Sequence, residues 1–211
     1  MNVVAVAGTG TEIGKTYVAA GLLRGLRARG RGFTVYKPVQ SFAPSDSSTD
    51  ADVLAGAAGL APAAVCPPHR WLPLPLAPPI AAEALGLGPF TIADLASETR
   101  ARATGAPVLV ETVGGVRSPI ASDGDSAALI EALAPALVVL VADASLGTIN
   151  LVRLSRDALW RQRQVVVFMN RFDERSDLHV RNAEWLVVRD GMVVLTDHAA
   201  LVDLVEPLAR P

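Results

Sequence analysis

The sequence has very little cysteine: Cys66 is the only one among 211 residues. A single cysteine cannot form a disulfide within its own chain. Thiol reactivity depends on neighbours that stabilise the thiolate, and the sequence around Cys66 offers no evident activating partner. We therefore expect a structural or incidental thiol.

A large charge excess is also absent, since the formal net charge is −2 at pH 7. Nucleic acid binding generally needs a basic surface, so we expect no nucleic acid partner. The longest apolar runs, around residues 134–142 and 165–169, are strand-sized and too short to cross a bilayer. No charged and apolar signal layout precedes the first predicted strand. We therefore expect a cytoplasmic protein with no membrane partner.

What the sequence does contain is a loop rich in glycine and threonine, within VVAVAGTGTEIGKT at residues 3–16. An apolar strand, this loop and a helix beginning near Lys15 follow in the order of a nucleotide-binding P-loop. Glycines let the backbone approach a phosphate, and the helix N-terminus adds positive charge. Lys15 supplies a charge for the outer phosphates, and the Thr16 hydroxyl suits Mg²⁺. Gly8 and Gly14 enclose five residues instead of the usual four, so an ordinary glycine-rich turn is the alternative.

Apolar periodicity predicts alternating strands and helices along the rest of the chain. Helices are predicted over residues 15–29, 92–103, 125–133, 149–161, 176–187 and 199–208, with shorter ones from residue 50 and near 81–85. Strands are predicted over residues 33–39, 107–111, 136–142, 164–170 and 192–195. The stretch 60–89 is rich in proline and is predicted to be mainly loop. So long a connection in a compact domain is more often functional than idle.

This alternation predicts an α/β fold, in which a mostly parallel central sheet carries helices on both faces. We predict a single P-loop NTPase-like domain over residues 1–211, because the length suffices for one sizeable core and nothing demands a second. In such sheets the ligand binds beyond the carboxyl ends of the strands. Polar residues at those ends are therefore the candidate site.

Polar side chains close three of the predicted strands, at Lys37, Glu111 and Asn170. A lysine and a glutamate are costly to bury unpaired, so their positions suggest a polar site. Glu111 is suited to complete a Mg²⁺ shell in phosphoryl transfer. A surface lysine at Lys37 and a solvated carboxylate at Glu111 are the alternatives. Asp50, at a predicted helix start, suits either a metal ligand or a helix N-cap.

Several motifs, in this order, resemble those of one enzyme family. They are AGTGTEIGKT, YKPVQS, the aspartate at the next helix start, RWLPLPLAPPIAA, VETVGG, LGTIN and the strand ending in Asn170. Together they resemble dethiobiotin synthetase over roughly residues 1–175. The combination is far more specific than the P-loop alone.

The resemblance implies an ATP- and Mg²⁺-dependent cyclo-ligase that converts 7,8-diaminopelargonic acid and CO₂ into dethiobiotin in biotin biosynthesis. In that family an amine captures CO₂ as a carbamate, and the γ-phosphoryl group then moves onto the carbamate as a mixed anhydride. The neighbouring amine closes the cyclic urea with loss of phosphate. Phosphoryl transfer of this kind is mostly positioning and charge neutralisation. The resemblance also implies a homodimer.

By matching position, the resemblance implies roles for individual residues. Lys15 and Lys37 would stabilise the transferring phosphoryl and carbamate oxygens, with Thr11 and Ser41 as further catalytic residues that line the diamine site. The implied Mg²⁺ ligands are Thr16, Asp50 and Glu111. The implied ATP contacts are Gly10, Thr11, Glu12, Ile13, Gly14, Lys15, Thr16, Tyr17 and Asn170, the last reading the base. The implied substrate contacts are Lys37 and Ser41 and, across the dimer interface, Gly147, Thr148, Ile149 and Asn150.

The chain also departs from the family pattern. Thr112 and Val113 stand where small residues are usual, so we expect added bulk beside the diamine site. A related ligase acting on a different amine is therefore one alternative. A switch ATPase of the ParA or MinD type is another, since it shares the fold. Those proteins carry a lysine early in the P-loop, where this chain has Gly10.

Overall fold

The structure is a computed structural model that describes residues 2–103, 105–162 and 164–209. Its strands are β1 (Val3–Gly8), β2 (Thr34–Tyr36), β3 (Gln40–Ser41), β4 (Trp71–Leu72), β5 (Val108–Glu111), β6 (Pro119–Ala121), β7 (Gly124–Asp125), β8 (Leu137–Asp143), β9 (Val165–Asn170) and β10 (Val193–Leu195). Its α-helices are α1 (Lys15–Ala28), α2 (Asp50–Ala58), α3 (Pro62–Val65), α4 (Pro78–Ala84), α5 (Ile92–Arg102), α6 (Ser126–Leu133), α7 (Thr148–Ala158), α8 (Asp177–Val188) and α9 (His198–Val205). Two 3₁₀ turns, Pro68–Arg70 and Glu206–Ala209, complete the described elements.

Six strands form the central sheet in the order β10-β9-β8-β1-β5-β2, and every neighbouring pair is parallel. The strand order changes direction at β1, because the chain returns to β5 on one side of it and to β8 on the other. In parallel sheets such a switch point opens a crevice at the carboxyl ends. The P-loop, residues 8–16, leaves β1 at this point and leads into α1.

Helices cover both faces of the sheet, which confirms the predicted fold class. Alternate residues of a strand face opposite sides, and the strands are apolar on both. On one face Val4 and Val6 of β1 pack in a buried cluster with residues of α1, α2 and α9. On the other face β2 and β5 pack against α5 and α6, whereas β8 and β9 pack against α6, α7 and α8.

Two predicted segments differ from the structure. The second strand was predicted over residues 33–39 but ends at Tyr36, because the Lys37 N–H donates to the Val65 carbonyl and Pro38 has no N–H to offer a ladder. The stretch 60–89 holds more than the one predicted short helix. It contains α3, a 3₁₀ turn, α4 and strand β4, which pairs in parallel with β3.

Residues 119–125 form a short antiparallel hairpin, β6 and β7, that was not predicted. Strands this short carry no readable alternation of polar and apolar residues. Within the part of the chain that the structure describes, no helix combines the length and apolar character needed to span a membrane.

Candidate active site

The P-loop takes a tightly turned path. Glu12 and Gly14 both have positive φ, 59° and 91°, a region that glycine occupies freely and other residues rarely. A Cβ on Gly14 would lie 2.1 Å from Asn170 Nδ2, so only glycine fits there. The buried Lys15 side chain curls back over the loop and donates from Nζ to the Gly10 carbonyl at 2.9 Å. The loop therefore presents a lysine above a backbone concavity, as an anion site requires.

Four side chains, from two strand ends and two helices, form a charged cluster: Thr16, Lys37, Asp50 and Glu111. Lys37 Nζ lies 2.6 Å from both Asp50 Oδ2 and Glu111 Oε1. Thr16 Oγ1 lies 2.9 Å from Asp50 Oδ1 and 2.8 Å from Glu111 Oε1. Lys37 and Glu111 are 1% and 0% exposed, which overturns the alternatives of a surface lysine and a solvated carboxylate.

Asp50 does not act as a helix N-cap. Thr49 takes that position before α2, and its hydroxyl exchanges hydrogen bonds with Asp52 in a capping box. Asp50 is the first helical residue, and its half-exposed carboxylate turns toward Lys37 and Thr16 instead. The capping alternative is therefore wrong, and the carboxylate is available to the site.

The charges of the cluster shift the pKa values of its members. Burial alone would lower the pKa of Lys37, but the carboxylates of Glu111 and Asp50 outweigh burial and raise the pKa. Burial raises the pKa of Glu111, and the charge of Lys37 opposes that shift. Lys15 has no direct ion pair with any described residue, so burial, assisted by repulsion from Lys37, lowers its pKa to about 8. Lys37 is thus fixed as a cation, whereas the charge of Lys15 depends on what binds beside it.

The cluster also has features that a divalent metal ion would satisfy. Glu111 Oε2 is buried and, among the described residues, has no hydrogen-bond partner. The Thr16 hydroxyl has one hydrogen and cannot donate to both neighbouring carboxylates at once. These groups are hard oxygen donors, the kind that Mg²⁺ prefers. Among the described residues, no group of three or more His, Cys, Asp or Glu side chains is placed to hold a metal ion.

A cavity of about 810 Å³ opens from this cluster. Its polar part includes Lys15, Lys37 and Asp50 together with Thr11 and Ser41, so the structure brings these predicted site residues to one cavity. Its apolar part comes from three loops, through Phe42, Ala43, Pro75, Leu76, Ala77, Pro78, Val113 and Pro119. The proline-rich stretch therefore does contribute to the site. A cavity with one charged end and one apolar end suits an elongated, partly aliphatic ligand beside a phosphate group.

Thr112 and Val113 were both expected to add bulk beside the substrate, and this is wrong for Thr112. Its side chain is fully buried and its hydroxyl donates to the Val6 carbonyl at 3.3 Å. Only Val113 lines the cavity. Successive residues leaving a strand point to opposite sides, so one of the pair had to turn inward. The following glycines permit close packing, since a Cβ on Gly115 would lie 3.2 Å from the Thr9 carbonyl.

The predicted residues Gly147, Thr148, Ile149 and Asn150 lie at the start of α7 and do not line this cavity. Gly147 is the N-cap, with φ 95° and no capping side chain. Thr148 is 3% exposed, and its hydroxyl has no partner among the described residues. Asn150 is exposed. Within one chain, this group is therefore separate from the lysines.

Asn170 and Tyr17 also lie outside the cavity. Asn170 is buried at the end of β9, and its Nδ2 donates to the Ile13 carbonyl of the P-loop at 2.9 Å. Tyr17 is largely exposed and packs edge-on against His198. Asn170 thus contacts the P-loop backbone, a role that the sequence did not suggest.

Sequence reasoning missed several cavity-lining residues, among them Phe42, Asp46 and Ser118. Phe42 and Asp46 lie in the polar loop after Lys37, where no periodic pattern marks which side chains face inward. Ser118 accepts from the Gly115 N–H at 2.9 Å, so the loop after Glu111 folds back on itself. The double glycine at 114–115 was the only signal of that turn.

A parallel sheet with a P-loop at its switch point, and with a lysine and oxygen ligands beside the loop, defines a P-loop nucleotide-binding protein. A family model described as an AAA domain matches residues 2–181. The chain is 42% identical over 162 residues to the ATP-dependent dethiobiotin synthetase BioD of Methylobacterium nodulans, with 71% of each chain covered. It is 35% identical over 195 residues to the protein of that name from Haloferax mediterranei, with 91% of this chain and 82% of the relative covered. The chain belongs to the dethiobiotin synthetase family.

A comparison of folds agrees at a coarser level. The structure of a ParA family ATPase from Chlorobium tepidum matches with a TM-score of 0.57, covering 95% of this chain and 87% of that chain. The two sequences are only 11% identical, so the likeness shows the P-loop fold alone. It gives no support to a switch ATPase function.

Proposed function

We propose that this protein catalyses the ATP- and Mg²⁺-dependent conversion of 7,8-diaminopelargonic acid and CO₂ into dethiobiotin. The observation that carries the proposal is the buried pair of Lys37 and Glu111 beside the P-loop, at the charged end of a cavity with an apolar remainder. Phosphoryl transfer to a carbamate gathers negative charge at one point. Two lysines and oxygen ligands for a metal supply the neutralisation that this charge needs.

The reaction assigns a task to each part of the cavity. One amine attacks CO₂ and loses a proton to become a carbamate. A carbamate oxygen then takes the γ-phosphoryl group from ATP, and the second amine displaces phosphate as the ring closes. Lys15 and Lys37 would face the phosphoryl and carbamate oxygens, since both line the cavity. Thr11 and Ser41, also in the lining, would position the two amines.

We assign Mg²⁺ to Thr16, Asp50 and Glu111. The unpartnered Glu111 Oε2 and the hydroxyl that two carboxylates share support the assignment. When bound, Mg²⁺ would neutralise phosphate charge. Lys37 would stay beside both carboxylates and reduce the repulsion between them.

ATP would bind along the P-loop, through residues 10–17. Asn170 would serve ATP binding through its hydrogen bond to the Ile13 carbonyl, which holds the loop. Its predicted contact with the base stays a prediction. A cytoplasmic location and a single domain are part of the same proposal, because the reaction consumes cellular ATP and the P-loop, Lys37 and Glu111 meet at the edge of one sheet.

The far end of the substrate is assigned to a second subunit. Thr148, with its buried and unpartnered hydroxyl, begins the uncapped helix α7, whose N-terminus favours an anion such as the tail carboxylate. Leu146, Leu151 and Leu154 are exposed nearby, at 83%, 45% and 60%. An exposed apolar surface of this kind suits an interface between two copies of the chain. We therefore propose a homodimer in which Gly147, Thr148, Ile149 and Asn150 of one subunit complete the cavity of the other.

Product analysis tests the activity directly. Purified protein is incubated with ATP, Mg²⁺, bicarbonate and diaminopelargonate, and the products are examined by mass spectrometry. We expect a cyclic urea of the mass of dethiobiotin, formed together with ADP. Omission of any one component should abolish it. A protein that binds ATP but forms no cyclic urea would instead favour the related ligase with another amine, for which Val113 on the cavity wall is the motivating observation.

Mixed dimers test the shared site. Lys37→Met and Asn150→Ala are each expected to be poorly active as homodimers. If Lys37 and Asn150 act in one site from different subunits, mixing the two variants creates dimers with one intact site, and activity should recover. If both residues served the same chain, mixing would restore nothing. Sedimentation of the unmixed variants checks that each remains a dimer.

A further inference from the structure

The residue after Asn170, Arg171, makes a second contact between the end of β9 and the P-loop. Its Nη2 donates a hydrogen bond to the Glu12 carbonyl at 2.9 Å. The neighbouring Ile13 carbonyl accepts a hydrogen bond from Asn170 Nδ2. Two consecutive residues therefore hold two consecutive carbonyls of the loop. Both contacts come from outside the cavity, because neither Asn170 nor Arg171 lines it.

Holding these carbonyls also orients the neighbouring N–H groups. A trans peptide unit is planar, and its C=O and N–H point in opposite directions. With the Glu12 carbonyl turned toward Arg171, the N–H of Ile13 points away from Arg171. The same holds for the Ile13 carbonyl and the N–H of Gly14. Within the described residues, neither N–H donates to another backbone group, so both are available to an anion in the loop.

Backbone conformation marks the same contact as unusual. In the described chain, positive φ occurs at only three residues other than glycine, Glu12, Ala134 and Arg171. Two of the three, with φ 59° and 57°, are the two ends of this one hydrogen bond. Such conformations are unfavourable for side chains other than glycine and persist where surrounding contacts enforce them.

Asp143 fixes the guanidinium of Arg171. Arg171 Nη1 lies 2.7 Å from Asp143 Oδ2, while Asp143 Oδ1 accepts from the Ser145 N–H at 2.9 Å. Asp143 ends β8 and pairs in register with Asn170 of β9. The carboxylate is thus held by its strand and by the following turn. One guanidinium nitrogen of Arg171 therefore contacts Asp143, and another contacts the P-loop.

We propose that Arg171, fixed by Asp143, is a positioning residue for triphosphate binding, which acts by turning the Ile13 N–H toward the phosphates. The inference rests on the proposed use of ATP. The half-exposed ion pair of Arg171 and Asp143 would then position the P-loop. Most ion pairs of this exposure contribute little to the free energy of folding.

The test variant is Arg171→Asn, because asparagine tolerates positive φ but is too short to reach Glu12. Binding of ATP is measured by calorimetry without the other substrates, and turnover is measured separately. We expect the dissociation constant and the KM for ATP to rise about tenfold, as for loss of one charge-assisted hydrogen bond, with kcat at saturating ATP nearly unchanged. Arg171→Lys, which keeps a donor, should recover part of the affinity.

Two controls separate positioning from a purely structural role. Arg29→Ala removes another pair between elements, with Asp203 and Glu206, and should lower thermal stability without changing ATP affinity. The double variant Arg171→Asp with Asp143→Arg restores an ion pair, but its carboxylate at 171 cannot donate to the Glu12 carbonyl. Thermal stability should recover in this variant while ATP affinity stays low.

Three results overturn the inference: unchanged ATP affinity in Arg171→Asn, an equal loss in Arg29→Ala, or full recovery of affinity in the charge swap. Failure of the proposed function has a different signature, because wild-type protein would then bind ATP without forming dethiobiotin, or would not bind it at all.

Discussion

The carboxyl edge of the sheet has two sides that use charged residues differently. On one side of β1, strands β5 and β2 lead to Glu111 and Lys37, which are buried and contact each other, and Lys37 lines the cavity. On the other side, β8 and β9 end in Asp143 and Asn170, which bond to the backbone of neighbouring loops. In the proposed function, the first side would provide the charges for phosphoryl transfer, and the second holds the P-loop that would bind the phosphates.

The substitution Lys37→Met should have the largest effect. We expect product formation to fall by about a thousandfold or more. The variant also leaves two carboxylates beside each other in a buried site, and breaking a buried pair costs about 3 kcal/mol of the free energy of unfolding. Steady-state kinetics and denaturant unfolding measure the two effects. Lys37→Arg is the control, since it keeps the charge: stability should largely return while activity should not. Activity near that of the wild type in a folded Lys37→Met protein would place the chemistry elsewhere.

Glu111→Gln should show the next largest effect. A neutral amide is a poorer ligand for a hard cation, so we expect half-maximal activity to need about 10–100 times more Mg²⁺, with a lower rate at saturation. Titration of activity with Mg²⁺ measures this. Glu98→Gln is a suitable control, because Glu98 pairs with Arg70 away from the cavity. An unchanged Mg²⁺ requirement in Glu111→Gln would reduce Glu111 to a structural role.

The pKa of about 8 at Lys15 predicts a pH dependence of ATP binding. The folded pKa is lowered, so free protein loses this proton as pH rises through about 8, whereas bound triphosphate favours the protonated form. ATP affinity should therefore fall about tenfold between about pH 7 and about pH 9, and binding in that range should take up protons. Calorimetry in buffers of different ionisation enthalpy measures both. Lys15→Arg stays charged throughout, so its pH dependence should be flat; a slope equal to that of the wild type would assign the titration to another group.

Val113→Ala should have the smallest effect. Removing two methyl groups from the cavity wall should change kcat/KM for diaminopelargonate by about tenfold, the lower end of the roughly 10–200-fold that a methylene-sized difference produces in such pockets. An increase is expected if Val113 crowds this substrate. Thr112→Val is the matched control, because Thr112 does not line the cavity and the change keeps its shape. Equal effects of the two substitutions would mean that kcat/KM depends on the packing of residues 112–113 in general and not on contact between Val113 and the substrate.

Sequence reasoning succeeded where local pattern and position decide the outcome. Apolar runs marked the strands, and the rule for parallel sheets then placed Lys37 and Glu111 together although they are far apart in sequence. Sequence reasoning failed where contacts between distant loops decide which segments pair and which side chains face the cavity. The pairing of β3 with β4 involves two residues on each strand, too few for any periodicity. Thr112 and Val113 could not be told apart, because their facing depends on how the chain leaves β5.

Arg171 shows the same limit on the second side of the edge. In the sequence, nothing distinguishes Arg171 from the other arginines. Only the fold brings Asp143 and the Glu12 carbonyl to its guanidinium. The start of α7 was identified from the motif LGTIN alone. In the proposed homodimer, its relation to the cavity would depend on a second copy of the chain, which one sequence does not describe.

The single hydroxyl hydrogen of Thr16, shared by two carboxylates, has a consequence for the free protein. At any moment one of the contacts with Asp50 and Glu111 brings two oxygen atoms together with no hydrogen between them. The folded chain therefore carries local frustration at this point, and part of its potential stability is given up to keep the oxygens convergent. In the proposed function, bound Mg²⁺ would relieve this repulsion and, because it would bind only the folded form, would raise the midpoint of thermal unfolding with its concentration. Resistance to heat would then belong to the metal complex more than to the polypeptide alone.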